Sequence, residues 1–156
     1  MKLAEALAQR ADLQRRLAQV ASRAVANARH QEGDRPAEDP VALLAEHERL
    51  AAQLETLIAR INAANLATEV EPGLTMTAAL ARRDVLRLRH RLRTDLADAA
   101  SVTQDRFTRT ELRYVSGVDV PATRAQADDL ARELRELDTR IQQVNWTADV
   151  EGDDGN

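Results

Sequence analysis

The stretch Leu130-Ala131-Arg132-Glu133-Leu134-Arg135-Glu136-Leu137-Asp138-Thr139-Arg140-Ile141-Gln142-Gln143-Val144-Asn145 decides the reading of this chain, because it occurs twice. At an offset of 80 stands Leu50-Ala51-Ala52-Gln53-Leu54-Glu55-Thr56-Leu57-Ile58-Ala59-Arg60-Ile61-Asn62-Ala63-Ala64-Asn65. In the later copy Ala127, Leu130, Leu134, Leu137, Ile141 and Val144 step by three and four residues. In the earlier copy Leu43, His47, Leu50, Leu54, Leu57 and Ile61 do the same, with a histidine in one slot. A 3–4 alternation of apolar positions is the period of an amphipathic helix that packs along another helix.

The match runs past the helices. Glu69-Val70-Glu71 stands opposite Asp149-Val150-Glu151, and Asp39 opposite Asp119. A second pair matches at an offset of 73: Ala6-Leu7-Ala8-Gln9-Arg10 resembles Ala79-Leu80-Ala81-Arg82-Arg83, and Leu13 stands opposite Leu86. The two offsets differ by an insertion in the second half, which the segment 106–120 accommodates. The sequence therefore predicts an all-α fold of four long helices, built as two tandem helical hairpins that stack like a bundle. It predicts one helical domain over residues 1–150, with repeat halves of about 1–73 and 74–150, and an acidic tail at 151–156 that frays.

The helix limits follow from breakers and caps. The first helix is expected from Leu3 to Arg29, along Leu3, Leu7, Leu13, Leu17, Val20 and Ala24, and Gly33 and Pro36 follow it. Asp39 and Pro40 supply an N-cap and a first-turn proline for the second, which is expected to end near Asn65 before Glu71-Pro72-Gly73. Thr75 or Thr77 caps the third, whose apolar stripe is read as Ala81, Val85, Leu88, Leu92, Leu96 and Ala99, with Leu80 and Leu86 off it. The fourth starts near Pro121. Between the third and fourth helices, 106–120 reads as an extended arm or small β-hairpin, with Ser116-Gly117 as its turn. At the two helix exits, Asn65 and Asn145 are expected to turn left-handed or to bond the last carbonyls, and Arg60 and Arg140 to bond the carbonyls of their own last turns.

Composition limits function. The 156 residues carry a net charge of −4 and only 2 % aromatics, Phe107, Tyr114 and Trp146. Few aromatic and β-branched residues argue against a β-rich fold. The acidic balance argues against a general nucleic-acid binder. Arg82-Arg83-Asp84-Val85-Leu86-Arg87-Leu88-Arg89-His90-Arg91-Leu92-Arg93 is basic, but its arginines spread around the helix among Asp84, Asp95 and Asp98, as on an ion-paired face. Without cysteine there is no disulfide, thiol nucleophile or Cys-based metal site. Glu5, Arg10 and Asp12 interrupt the N-terminal apolar run, so neither an export signal nor a membrane span is expected, and the cytoplasm is the expected location.

No cofactor or metal is expected. The residues three before His30, His47 and His90 are Asn27, Leu44 and Arg87, so the Glu-x-x-His pairs of a di-iron bundle are missing. Asp128, Asp129, Glu133 and Glu136 could hold magnesium only if they faced another helix, but arginines interleave them. A candidate polar pocket would use His47, Asn65 and Asn145.

Met1-Lys2-Leu3-Ala4-Glu5-Ala6-Leu7, Ala37-Glu38-Asp39-Pro40, Arg83-Asp84-Val85-Leu86 and Asn145-Trp146-Thr147 together resemble a bacterial family of small helical proteins often labelled septicolysin. The resemblance covers almost the whole chain, through order and spacing rather than catalytic signatures. The label implies a cytolysin. A pore-former shows an inserting segment and a thiol-activated lysin a cysteine, and this sequence offers neither.

The preferred expectation is a self-associating structural or interaction module without enzymatic activity. Leu80, Leu86, Phe107, Leu112, Tyr114 and Trp146 are its candidate oligomer contacts, the arm clasping a neighbouring subunit. The alternatives are a ligand- or metal-binding helical-bundle enzyme with an inter-helix pocket, and a nucleic-acid-associated protein acting through the third helix.

Overall fold

The computed structural model describes residues 1–101 and 114–151. It is all-α: α1 (Leu3–Ala26), α2 (Pro40–Ala67), α3 (Met76–Ala100) and α4 (Val120–Thr147), with one two-stranded ribbon of β1 (Glu69–Glu71) and β2 (Leu74–Thr75). The duplication is visible in the limits themselves. α2 and α4 begin and end 80 residues apart, and α1 and α3 begin 73 apart. The chain divides into two compact units, Met1–Glu69 with Val144–Asn156, and Val70–Gln143. The division falls a few residues before the expected 73/74 boundary, and the last turn of α4 belongs with the first unit.

Each helix start is fixed by a side chain that takes an otherwise orphaned N–H. The Glu5 carboxylate accepts from Lys2 N at 2.8 Å, Asp39 Oδ1 from Val41 N at 3.0 Å, Thr75 Oγ1 from Ala78 N at 3.3 Å and Asp119 Oδ1 from Ala122 N at 2.9 Å. Asp39 and Asp119 thus cap equivalent helices, as their alignment implies. α1 ends at Asn27, whose Nδ2 donates to Arg23 O at 2.9 Å while its Oδ1 accepts from Glu38 N at 3.1 Å. The same Arg23 grips the Glu38 carboxylate, with Nε donating to Oε2 at 2.9 Å.

In the first unit α1 packs along α2. Leu3, Ala6, Leu13 and Val20 are buried on α1, and Leu43, Leu50, Leu57, Ile61 and Ala64 on α2. Most of these lie on the stripes read from the sequence, whose other members Leu7, Leu17, Ala24, His47 and Leu54 are half-buried; Ala6 and Ala64 are additions. The chain ends close this unit: Leu3 N donates to Ala148 O at 2.9 Å, Val150 N to Met1 O at 2.8 Å, and Lys2 pairs antiparallel with Asp149. Lys2 Nζ adds an ion pair to Asp149 at 2.9 Å and a bond to Thr147 O at 3.0 Å.

In the second unit ion pairs run between α3 and α4: Arg82 to Glu133 at 2.6 Å, Arg87 to Asp138 at 3.5 Å and Arg124 to Asp98 at 3.1 Å. Arg83 stands 3.9 Å from Asp138, Arg93 Nε donates to Gln126 Oε1 at 3.2 Å and Asp98 meets Arg124, so the two helices run antiparallel. The basic run is therefore largely an ion-paired face.

Some particulars add to the expectations or differ from them. A two-stranded ribbon lies between α2 and α3, where the sequence signals only a helix stop. Glu71-Pro72-Gly73-Leu74 makes its turn, with Gly73 at φ 80, the positive value required two residues into a type II turn after proline. Of the expected arm, residues 106–113 lie outside the described residues, and 114–119 form a loop without strand, in which Val118 N donates to Ser116 Oγ at 3.3 Å. Asn65 and Asn145 are also not left-handed end residues. Both lie inside helices that continue two residues further, and among the described residues only glycines take positive φ.

Candidate functional site

The third helix overturns the expected stripe. Its buried residues are Met76, Ala79, Leu86 and Ala97, with Leu80, Arg83, His90, Arg93 and Thr94 half-buried. That line also has heptad spacing, and it is the direct counterpart of the α1 core: Leu3, Ala6 and Leu13 correspond to Met76, Ala79 and Leu86 at the offset of 73. Leu86, expected to be a surface contact, is 2 % exposed and belongs to the core. Leu80 borders the same line.

The stripe expected to be core lies in solvent. Val85 is 53 % exposed, Leu88 69 %, Leu92 65 % and Leu96 41 %, and Ala81 and Ala99 are exposed with them. Scattered apolar residues are ordinary on a protein surface, but a continuous line of large ones marks an interaction site. Its spacing, 81-85-88-92, is that of a helix-pairing seam. Asp84, Arg91 and Asp98 flank one side, and Arg82, Arg89 and Leu96 the other.

The remaining candidates are spread out. Tyr114 is exposed at the start of the described loop and Trp146 in the last turn of α4; Phe107 and Leu112 lie outside the described residues. Leu66, the counterpart of Trp146 at the offset of 80, is exposed as well. His47 and Asn65 are half-buried and Asn145 is buried. Because α2 is unbroken, His47 and Asn65 stand about 27 Å apart along it at 1.5 Å per residue, too far to line one pocket. A groove of about 600 Å³ in the first unit is lined by Leu13, Arg49, Gln53, Leu57 and Arg60 among others, and one of about 580 Å³ by Thr56, Arg60, Ala64, Thr68, Asp149 and Glu151 among others. Neither includes His47, Asn65 or Asn145.

Among the described residues no three histidines or carboxylates gather as a metal cage. Asp129 is held by Arg132 and Glu133 by Arg82, each at 2.6 Å. No helix among the described residues is long and apolar enough to cross a membrane.

The repeated arginines have partners other than those expected. Arg60 Nε donates to Glu151 O at 2.8 Å, and Arg140 Nε stands 3.4 Å from Glu71 Oε2. Each reaches the segment that leaves the other repeat's helix, rather than the carbonyls of its own last turn.

Sequence reasoning missed the exposed face of α3 because it chose the more apolar of two heptad lines. The signal that identifies the buried one was present: Leu13 aligns with Leu86.

A crystal structure of a functionally unknown conserved protein from Corynebacterium diphtheriae is 42 % identical and superposes with a TM-score of 0.90, over 97 % of this chain and 99 % of that one. No curated protein matches significantly. The family model described as "Family of unknown function (DUF6847)" matches residues 10–150, and with that span of four helices the chain belongs to this family.

Proposed function

We propose that this chain is a self-associating helical module of the cytoplasm, with a structural or interaction role rather than an enzymatic one. The observation that carries this reading is the exposed line Val85, Leu88, Leu92 and Leu96 on α3. Leaving such a line in water is unfavourable by roughly 25 cal/mol per Å² of apolar surface, and covering it with another helix recovers that energy. A helix that keeps this cost along one face is built to be covered.

Light scattering coupled to size exclusion tests the reading at micromolar concentration. The expected mass is a multiple of the 17.3 kDa chain, falling toward one chain on dilution. A mass of one chain at every concentration would overturn it.

A further inference from the structure

We infer that the exposed face of α3 is covered by α3 of a second copy, laid antiparallel, with Val85 against Leu88 of the second copy and Ala81 against its Leu92. This rests on the self-association reading and gives it an occupant and an orientation.

The duplication supplies an internal control. At the offset of 73, Ala81, Val85, Leu88, Leu92 and Leu96 correspond to Ala8, Asp12, Arg15, Gln19 and Arg23 of α1. The two helices share their buried line. On the outer line α1 is polar and satisfied locally, with Asp12 paired to Arg15 at 3.0 Å and Arg23 to Glu38. Burial within the hairpin therefore does not call for apolar residues on this face. What distinguishes α3 is a line of four large aliphatic side chains where its counterpart carries charges and an amide.

Charge selects the occupant and its direction. In a coiled-coil register Val85 and Leu92 take one core position, and Ala81, Leu88 and Asp95 the other. A parallel, in-register pair would set Asp95 against Asp95 inside the seam. The antiparallel pair sets Asp95 against Ala78, near the end of the helix. On the flank it brings Asp84 of each copy to Arg91 of the other, twice by symmetry. In their own chain Asp84 stands 3.3 Å from Arg83 and 3.5 Å from Arg87, and Arg91 3.8 Å from Asp95. These are exposed pairs that alternate in sign along the helix, so the face is complementary to itself. The other flank brings Arg82 toward Arg89 of the second copy. Arg82 is already neutralised within its own chain, by Glu133 at 2.6 Å and Glu71 at 4.0 Å. Shifting the antiparallel pair by one heptad would set Arg91 against Arg91 and Asp84 against Asp98, which disfavours that register.

The test combines charge exchange with cross-linking, in a chain free of cysteine. Sedimentation equilibrium of Asp84→Arg and of Arg91→Asp should each show dimer dissociation about tenfold easier, and the double exchange should return it to within about threefold of the parent. Ala81→Cys with Leu92→Cys should give a covalent dimer on mild oxidation. Leu92→Cys alone should not, because antiparallel pairing places the two copies of residue 92 about 16 Å apart along the axis. Circular dichroism confirms that each variant keeps its helices. If the parent chain is a monomer, self-association itself fails. If it dimerises but ignores both charge changes, or if Leu92→Cys alone cross-links, self-association stands and the antiparallel α3 pair is overturned.

Discussion

Arg140 Nε stands 3.4 Å from Glu71 Oε2, and at the offset of 80 Arg60 Nε donates to the carbonyl oxygen of Glu151 at 2.8 Å. Equivalent arginines have thus captured equivalent glutamates, each from the other repeat, but by different atoms. In one case the arginine faces a side-chain carboxylate as an ion pair, and in the other it donates a hydrogen bond to the backbone. These contacts account for the arginine of the Arg-Ile-x-x-x-Asn repeat, which near each helix end holds the segment leaving its counterpart.

The difference in atoms gives an asymmetric prediction. Glu71→Ala removes the carboxylate that forms partly exposed ion pairs with Arg140 at 3.4 Å and Arg82 at 4.0 Å and should destabilise by about 1 kcal/mol, the upper end for such pairs. Glu151→Ala keeps the carbonyl that Arg60 uses and should fall within about 0.5 kcal/mol of the parent, as surface changes do. Urea unfolding of both variants at one protein concentration checks it. Equal losses would contradict the assignment.

Turn chemistry gives a second prediction. Gly73 has φ 80 in the β1–β2 turn, and a Cβ there would meet nothing within 4 Å. The cost of Gly73→Ala is therefore backbone strain alone, about 1–2 kcal/mol. Gly117 lacks a positive φ and has equal room, so Gly117→Ala should be neutral or slightly stabilising through the unfolded chain. Thermal unfolding of the two variants separates these effects.

The helices were legible because their signals are local. Asp39 and Asp119 precede helix starts that the sequence marks, and the heptad lines of α1, α2 and α4 are buried or half-buried along their length. Burial on α3 was not legible from apolarity. Its core line includes Arg83, His90 and Arg93, whose long or polar side chains keep one end wet, while its outer line is aliphatic. Periodicity says that a face recurs, and only the partner decides which face is covered. The ribbon at 69–75 was read only as a helix stop, since two and three residues are too short for alternation to show. The candidate pocket failed for a simpler reason: His47 and Asn65 lie on one rigid helix and cannot converge over the 18 positions between them.

The join between α1 and α2 predicts a pH effect. The hydrogen bond from Arg23, with its charge, holds the Glu38 carboxyl below its usual range. A carboxyl depressed in the folded state contributes stability that is complete above its unfolded value, about 4.3, and is lost as pH falls through the lower folded value. Glu38→Gln should therefore be slightly less stable than the parent at neutral pH and converge with it in acid. Because both groups are exposed, the neutral-pH difference should be small and should shrink in high salt. Paired urea titrations across that range, in low and high salt, check sign and screening; a gap that widened in acid would contradict the pair.

The final prediction separates the two faces of α3 by what each supports. Leu86 is 2 % exposed and Leu88 69 %, only two residues along the same helix. Leu86→Ala leaves a cavity in the core and should cost about 2–5 kcal/mol. Leu88→Ala removes surface already in water and should change the dilute chain by no more than about 0.5 kcal/mol. At higher concentration the order of effects changes. A dimer is stabilised by mass action, so the parent and Leu86→Ala should unfold at higher temperature as concentration rises. Leu88→Ala should lose most of that dependence while keeping its dilute stability. Calorimetry over a roughly hundredfold concentration range distinguishes the two variants, and a parent melting temperature independent of concentration would remove the outer face's assigned role.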